Sequence, residues 1–475
     1  MSTLPAEIIS RIFSFLQSEP AAITACLESH PLLLEIALPY AYSNIFLKTG
    51  DSSVVGYKPA DLTRILSKRP HIAHYIRSLD IIVGGKLDAE IQRHRLEEIS
   101  TILPNLSALK KITLDHALCP SFGWEGLPES FRLAFLDCLR MQSMRDLCID
   151  SVLHFPYTSA QCKSITVRGC FRVYPSTSTN NLDLDLEDGP STNQDFIPFE
   201  SLCLQDCTDT FLQGFVPWFV ARRSQLRSLE FEGFCGDDGH YCLPMLLSNS
   251  SNTLTSLDLH LGSGATRMSL FLASCIFLPF PGYYNFNMPP NDDGATKKIP
   301  VTLSTLPHLE QLTIHATLHY DDHKCIGTSN MWGFHSPIPS IAQLFSSPHT
   351  PSFKCLNLDF NFDIRGQSLV QSQSLPWSLL SDVICTPLIH LLSTISAFEC
   401  SVSSSSIRVD LRLRGASTTH RPLTILGSMH RTIPLNVIHF LLAGSKELMR
   451  FVEQGRLIVT PPVPTSLDLN VIDSW

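Results

Sequence analysis

The sequence predicts an α/β fold with parallel strands on one side and helices on the other. Two observations carry that expectation. A strand-like frame, L-x-x-L-x-L with conservative swaps, recurs nine times, and the stretches between copies often carry amphipathic helical patterns. A third observation narrows it. Neither G-x-G-x-x-G nor G-x-x-x-x-G-K-[ST] occurs, so the phosphate-binding turn of many ordinary α/β sheets has no counterpart here.

The first element is a helix over residues 3–16, TLPAEIISRIFSFL. Thr3 can cap it, and Pro5 fits a first turn whose N–H groups have no partner anyway. At roughly 100° per residue, Leu4, Phe15, Ile8, Ile12, Leu16, Ile9 and Phe13 sweep half the circumference. A helix lying on one core needs a stripe of only about 100°. One flank is therefore expected to pack internally and the other to close on something else. Ser18 can cap a second helix with Pro20 in its first turn and Ile23, Cys26 and Leu27 on its face. A further apolar segment covers 32–38. Helices this short bury little area alone and need a partner or a neighbour.

The frames then follow in order: IRSLDIIV (76–83), LKKITLD (109–115), MRDLCID (144–150), CKSITVRGC (162–170), FESLCLQDC (199–207), LRSLEFEGF (226–234), LTSLDLHL (254–261), LEQLTIHA (309–316) and FKCLNLDF (353–360). With period two, Leu229 and Phe231 share one face, as do Leu257 and Leu259, while Glu230 points the other way. Helical patterns separate the strands at 87–103, 127–139 and 209–223. Strand, turn and helix under a leucine frame is the logic of an irregular leucine-rich-repeat solenoid. An ordinary α/β sheet is the competing architecture.

Two loop-like inserts break the period, at 280–300 and 319–339. The polar, acidic stretch 177–195 reads as an exposed loop or an extra edge strand, and 401–406 and 460–466 as flexible punctuation. The expected organisation is 1–48 as a helical N-terminal unit, 49–415 as the repeat body and 416–475 as a C-terminal cap and tail.

Composition bounds the function. Of 475 residues only 17% are charged, which suits a large buried interior. The net charge of −9 disfavours general nucleic-acid binding. The longest apolar stretch, 268–280, is too short to span a bilayer and carries Pro279 near its end. No basic-led signal peptide is present, so the chain is expected in the cytoplasm and/or nucleus, without a membrane. The 15 cysteines include no C-x-x-C pair and read as reduced core thiols, with Cys203, Cys207, Cys235 and Cys355 in or beside strands.

The N-terminal residues add a resemblance. LPAEIISRIFSFL is similar to the first helix of the F-box, whose pattern begins Leu-Pro-x-Glu and continues with Ile/Leu positions to a terminal Leu. ADLTRILSKRPHIAHYIRSLDI (60–81) resembles the junction between F-box and repeats in F-box proteins of mushroom-forming fungi. Many F-boxes continue with Val-Cys-Arg and an aromatic residue, whereas this chain reads CLESHPLLLEIA. The resemblance covers about the first 80 residues. It implies a substrate receptor of an SCF-type cullin–RING ubiquitin ligase, in which the F-box docks a Skp-family adaptor, and through it a cullin, while the repeats hold a protein substrate. By position, the adaptor-facing residues are Leu4, Pro5, Ile8, Ile12, Leu16, Ile23, Cys26 and Leu27.

Candidate sites elsewhere are few. SIRVDLRLRG (406–415) sets Arg408, Arg412 and Arg414, with Asp410, opposite an apolar face. It is either a solvated strand face or a patch whose guanidinium forks suit an acidic or phosphorylated peptide. His315, His319, His323 and Cys325 are metal-capable, but their context reads as solvated loop histidines, and no metal or other cofactor is expected. No G-x-S-x-G elbow occurs, and the carboxylates Asp183, Asp185, Glu187 and Asp188 read as a hydrated loop. The chain is thus expected to be a non-catalytic adaptor. A leucine-rich-repeat scaffold without a ligase role and a hydrolase of unrecognised family are the alternatives.

Overall fold

A computed structural model of the chain describes residues 5–16, 22–23, 25–26, 31–50, 56–84, 89–116, 123–152, 155–157, 162–169, 199–207, 209–221, 225–233, 242–261, 306–321, 352–365, 385–402, 407–415 and 445–460. The chain divides into two compact units: Met1–Gly214 with Arg222–Ser224, and Phe215–Ala221 with Gln225–Trp475.

The first unit opens with α1 (Ala6–Leu16) and α2 (Pro31–Ala41). Six strands follow: β1 (Asn44–Lys48), β2 (Ser78–Ile82), β3 (Lys111–Asp115), β4 (Asp146–Asp150), β5 (Ser164–Arg168) and β6 (Ser201–Cys207). Each pairs in parallel with the next. Helices α3 (Pro59–Lys68), α4 (Ala89–Ile102) and α5 (Glu129–Leu139) lie between them in sequence.

The leucine frame explains the geometry. Its fourth and sixth places are buried: Leu79 and Ile81, Ile112 and Leu114, Leu147 and Ile149, Ile165 and Val167. Its first place, Ile76, Leu109, Met144, Cys162 and Phe199, is buried as well. Its second place carries a backbone ladder, in which the N–H of Lys110 donates to Arg77 O, Arg145 to Lys110, Lys163 to Arg145, and Glu200 to Lys163. The eighth place turns left-handed in three successive strands, at Ser151 (φ 58°), Gly169 (φ 59°) and Asp206 (φ 53°). A repeated sequence thus produces a repeated exit from the sheet. Trp124, Phe131, Phe135, Phe155 and Tyr157 pack as an aromatic cluster, with Trp124 and Phe155 edge to face at 4.9 Å.

The second unit repeats the scheme with β7 (Ser228–Gly233), β8 (Ser256–Leu261), β9 (Gln311–Asp321), β10 (Cys355–Arg365), β11 (Arg408–Gly415) and β12 (Leu457–Thr460), all paired in parallel in chain order. Leu229, Phe231, Leu257, Leu259, Leu312, Ile314, Leu356, Leu358, Val409 and Leu411 fill its buried face. Helices Cys242–Asn249, Thr386–Val402 and Lys446–Glu453 belong to this unit. Glu399 on the second of them pairs with Arg456, which also donates to Ser396 Oγ at 2.8 Å. A helix at Asp209–Ala221 has residues in both units.

All nine frames are strands, and the sheet in each unit is open and parallel. This is an α/β sheet rather than the solenoid expected from the frame. Three strands lie outside the nine frames: β1, β11 and β12, of which β11 is legible from its alternation instead. The loop expected from 319 begins later, because β9 runs to Asp321. Residues 177–195, 280–300 and 322–339, and the tail beyond 460, lie outside the described residues. Among the described residues, no helix is long and apolar enough to cross a membrane.

Candidate functional site

Alternation turns the fifth and seventh places of each frame away from the buried face. In the second unit, register aligns these places into two rows. One runs Glu230, Asp258, Thr313, Asn357, Asp410, and the other Glu232, His260, His315, Asp359, Arg412. Residues remote in sequence thereby become neighbours.

Two imidazoles and three carboxylates converge where the rows meet. The rings of His260 and His315 stack at 4.1 Å, with 17° between their planes. His260 Nε2 lies 3.3 Å from Glu230 Oε1 and 3.4 Å from Asp258 Oδ1. His315 Nε2 lies 3.1 Å from the same Asp258 oxygen, and its Nδ1 lies 3.2 Å from Asp359 Oδ2. Asp359 is buried, and the others are half-buried. Burial of the His315 ring opposes its protonation, but contacts with Asp258 and Asp359 and their negative charges outweigh it and push the ring up to about 9.

Toward β11 the face stays polar. Asn357 Nδ2 donates to Thr313 Oγ1 at 3.1 Å, and Cys355 Sγ donates to Asn357 Oδ1 at 3.2 Å. Arg408 pairs with Asp410 at 2.9 Å. The charge of Asp410 raises the Arg408 guanidinium further, and that of Arg408 partly offsets the rise that burial gives the Cys355 thiol. Of the arginines singled out in the sequence, Arg408 and Arg412 are exposed. Asp410 already engages Arg408, so the patch is less basic than the alternation suggests. The Arg414 side chain lies outside the described residues.

His315 is a half-buried strand residue, not a solvated loop histidine, and its partners come from other strands. The His319 side chain, His323 and Cys325 lie outside the described residues. Sequence reading missed Glu230, Asp258, His260 and Asp359 as site members. The signal was present in the frames themselves: His260 in LTSLDLHL and His315 in LEQLTIHA both hold the seventh place. Metal-ligand spacing sought along the chain does not detect ligands spaced across a sheet.

A second surface lies in the first unit. Phe13, Ile23 and Ala37 form a small core, against which Ile9, Leu16, Cys26 and Tyr40 pack. Phe13 and Tyr40 stack at 5.9 Å, and Ser10 shares a 2.6 Å hydrogen bond with the Tyr40 hydroxyl. The opposite flank of α1 is open: Ile8 is 47% exposed, Ile12 46% and Phe15 72%. Pro5 is exposed beside them. Leu16, Ile23 and Cys26, named as adaptor-facing by position, turn inward instead, because the helical pair needs them as its own core. Phe15 was not named and is the most open of the set. Leu4 and Leu27 lie outside the described residues.

No protein family matches this chain, and no curated protein matches it.

Proposed function

We propose that the chain is a substrate receptor of an SCF-type cullin–RING ubiquitin ligase, acting in the cytoplasm or nucleus without catalysing transfer itself. Its N-terminal helices serve as an F-box for a Skp-family adaptor, which links it to a cullin. Its framed strands form the parallel body whose polar face receives a protein substrate. The observation that carries this reading is the open flank of α1. Ile8, Ile12 and Phe15 stay in water at the spacing of one helix face, although the same helix already has a core of its own. An apolar face left open on a packed helix marks an interaction surface. The F-box-like pattern of LPAEIISRIFSFL supports the choice of partner. Arg408 and Arg412 contribute to recognition if the substrate is acidic.

Affinity purification with and without residues 1–48 tests this. The full chain brings down an adaptor and a cullin, and the shortened chain brings down neither. A full chain that never captures the adaptor contradicts the proposal and favours the scaffold without a ligase role.

A further inference from the structure

We propose that Asp258, His260 and His315 form a binding site for one divalent metal ion of the zinc type, with Glu230 as a fourth donor and Asp359 as the group that orients His315.

One ligand atom from each of Asp258, His260 and His315 lies within 4.8 Å of the other two. All three side chains stand on adjacent strands, β8 and β9, whose register fixes His260 directly beside His315. Rigid paired strands hold donors more closely than a loop can. Donors around a tetrahedral zinc ion sit about 3.3 Å apart, given bonds of about 2.0–2.1 Å. Two of the present separations, 3.1 and 3.4 Å to Asp258 Oδ1, already match that spacing. The rings are half-exposed, so each can turn about χ2 to aim its nitrogen at a common ion, and the ion has a path from solvent.

Two details point to a cation rather than to a plain hydrogen-bonded cluster. Asp258 Oδ1 is buried between the two imidazoles, 3.4 Å from His260 Nε2 and 3.1 Å from His315 Nε2, and no further donor reaches it among the described residues. A buried carboxylate oxygen in that state is matched by an ion that both imidazoles can share. In addition, Asp359 lies against His315 Nδ1, placed to accept its proton and fix the tautomer that leaves Nε2 as the donor atom. A buried carboxylate behind a histidine is the recurring arrangement behind metal-bound imidazoles. Glu230, Asp258 and Asp359 together bring three negative charges, two of which a divalent ion cancels. Two nitrogens with carboxylate oxygens select zinc and its transition-metal neighbours over magnesium or calcium, which take oxygen sets.

The test uses the tag-free full-length chain, dialysed and then titrated with Zn²⁺ by calorimetry and with Co²⁺ by visible absorption. The expected result is about one ion per chain and the intense visible bands of low-coordinate cobalt. Asp359→Asn, which keeps the shape of the buried side chain, should weaken binding by about 10–100-fold. His260→Ala/His315→Ala should abolish it, while Glu310→Gln, on the same sheet but outside the cluster, should leave it unchanged. Circular dichroism confirms that each variant is folded, and His315→Gln replaces the double variant if that one is not. Failure of the dialysed chain to bind either ion overturns the proposal. So does undiminished binding by folded variants lacking the histidines, which would place the metal elsewhere.

Discussion

His260 and His315 lie face to face at 4.1 Å on neighbouring parallel strands, with Asp258 within 3.4 Å of both. Three carboxylates, Glu230, Asp258 and Asp359, surround the stacked pair. In metal-free protein the His315 ring is raised to about 9, because contacts with Asp258 and Asp359 outweigh the opposing effect of burial.

That shift sets a pH dependence. A group whose folded pKa lies above its unfolded value of about 6.5 adds stability that is fully present below pH 6.5 and is lost as pH rises through 9. In chelator, the melting temperature of the second unit should therefore fall by a few degrees, on the order of 2–4 °C per kcal/mol, between pH 6.5 and 9. His315→Gln should flatten the decline. A wild-type profile already flat across that range contradicts the assignment.

α1 supplies a paired substitution. Phe13 is 2% exposed and stacks on Tyr40, so Phe13→Ala should destabilise the helical pair by about 3 kcal/mol or more. Phe15→Ser removes an equally large ring from water and should change stability by less than about 0.5 kcal/mol. Hydrogen exchange across residues 5–41 reads both. Equal loss of protection would mean that Phe15 is packed.

Glu399 and Arg456 are largely buried and hold the helix Thr386–Val402 to the start of β12. Removing one partner strands the other charge, so Glu399→Ala should cost about 3–5 kcal/mol in denaturant unfolding. Replacing both with leucine should recover most of that loss. If the double variant is no better than the single one, the pair's effect is not electrostatic.

The nine cysteines whose side chains are described are all thiols. Burial pushes Cys138 and Cys162 up to about 12 and Cys148 up to about 11. Since the thiolate is the reactive form, these three should resist iodoacetamide at pH 8 in native protein and label fully once it is unfolded. Peptide mass spectrometry reads each site. Rapid native labelling of Cys138 would show that α5 opens easily.

Much of the architecture is legible because it is local. Nine of the twelve strands announce themselves by a leucine frame, and period two assigns Leu229 inward and Glu230 outward without reference to other strands. β1 and β12 were missed because they lack the frame's leading residue. α1 is legible as amphipathic, but which apolar residues face water is not. Leu16 and Phe15 are equally apolar, and only the position of α2 decides that Leu16 packs and Phe15 does not. The histidine cluster is non-local in the same way. Its members occupy equivalent frame places, yet no rule about spacing along the chain joins Asp258 to His315. Register does.

The proposed docking surface is the open flank of α1, and direct binding to a purified Skp-family adaptor tests it. The intact chain should bind, and Ile8→Glu/Ile12→Glu should weaken binding at least a hundredfold with an unchanged melting temperature, since each buried aliphatic side chain contributes about 1.5–3 kcal/mol. An intact chain that does not bind the adaptor, or a folded double variant that binds as tightly as the intact chain, would contradict it.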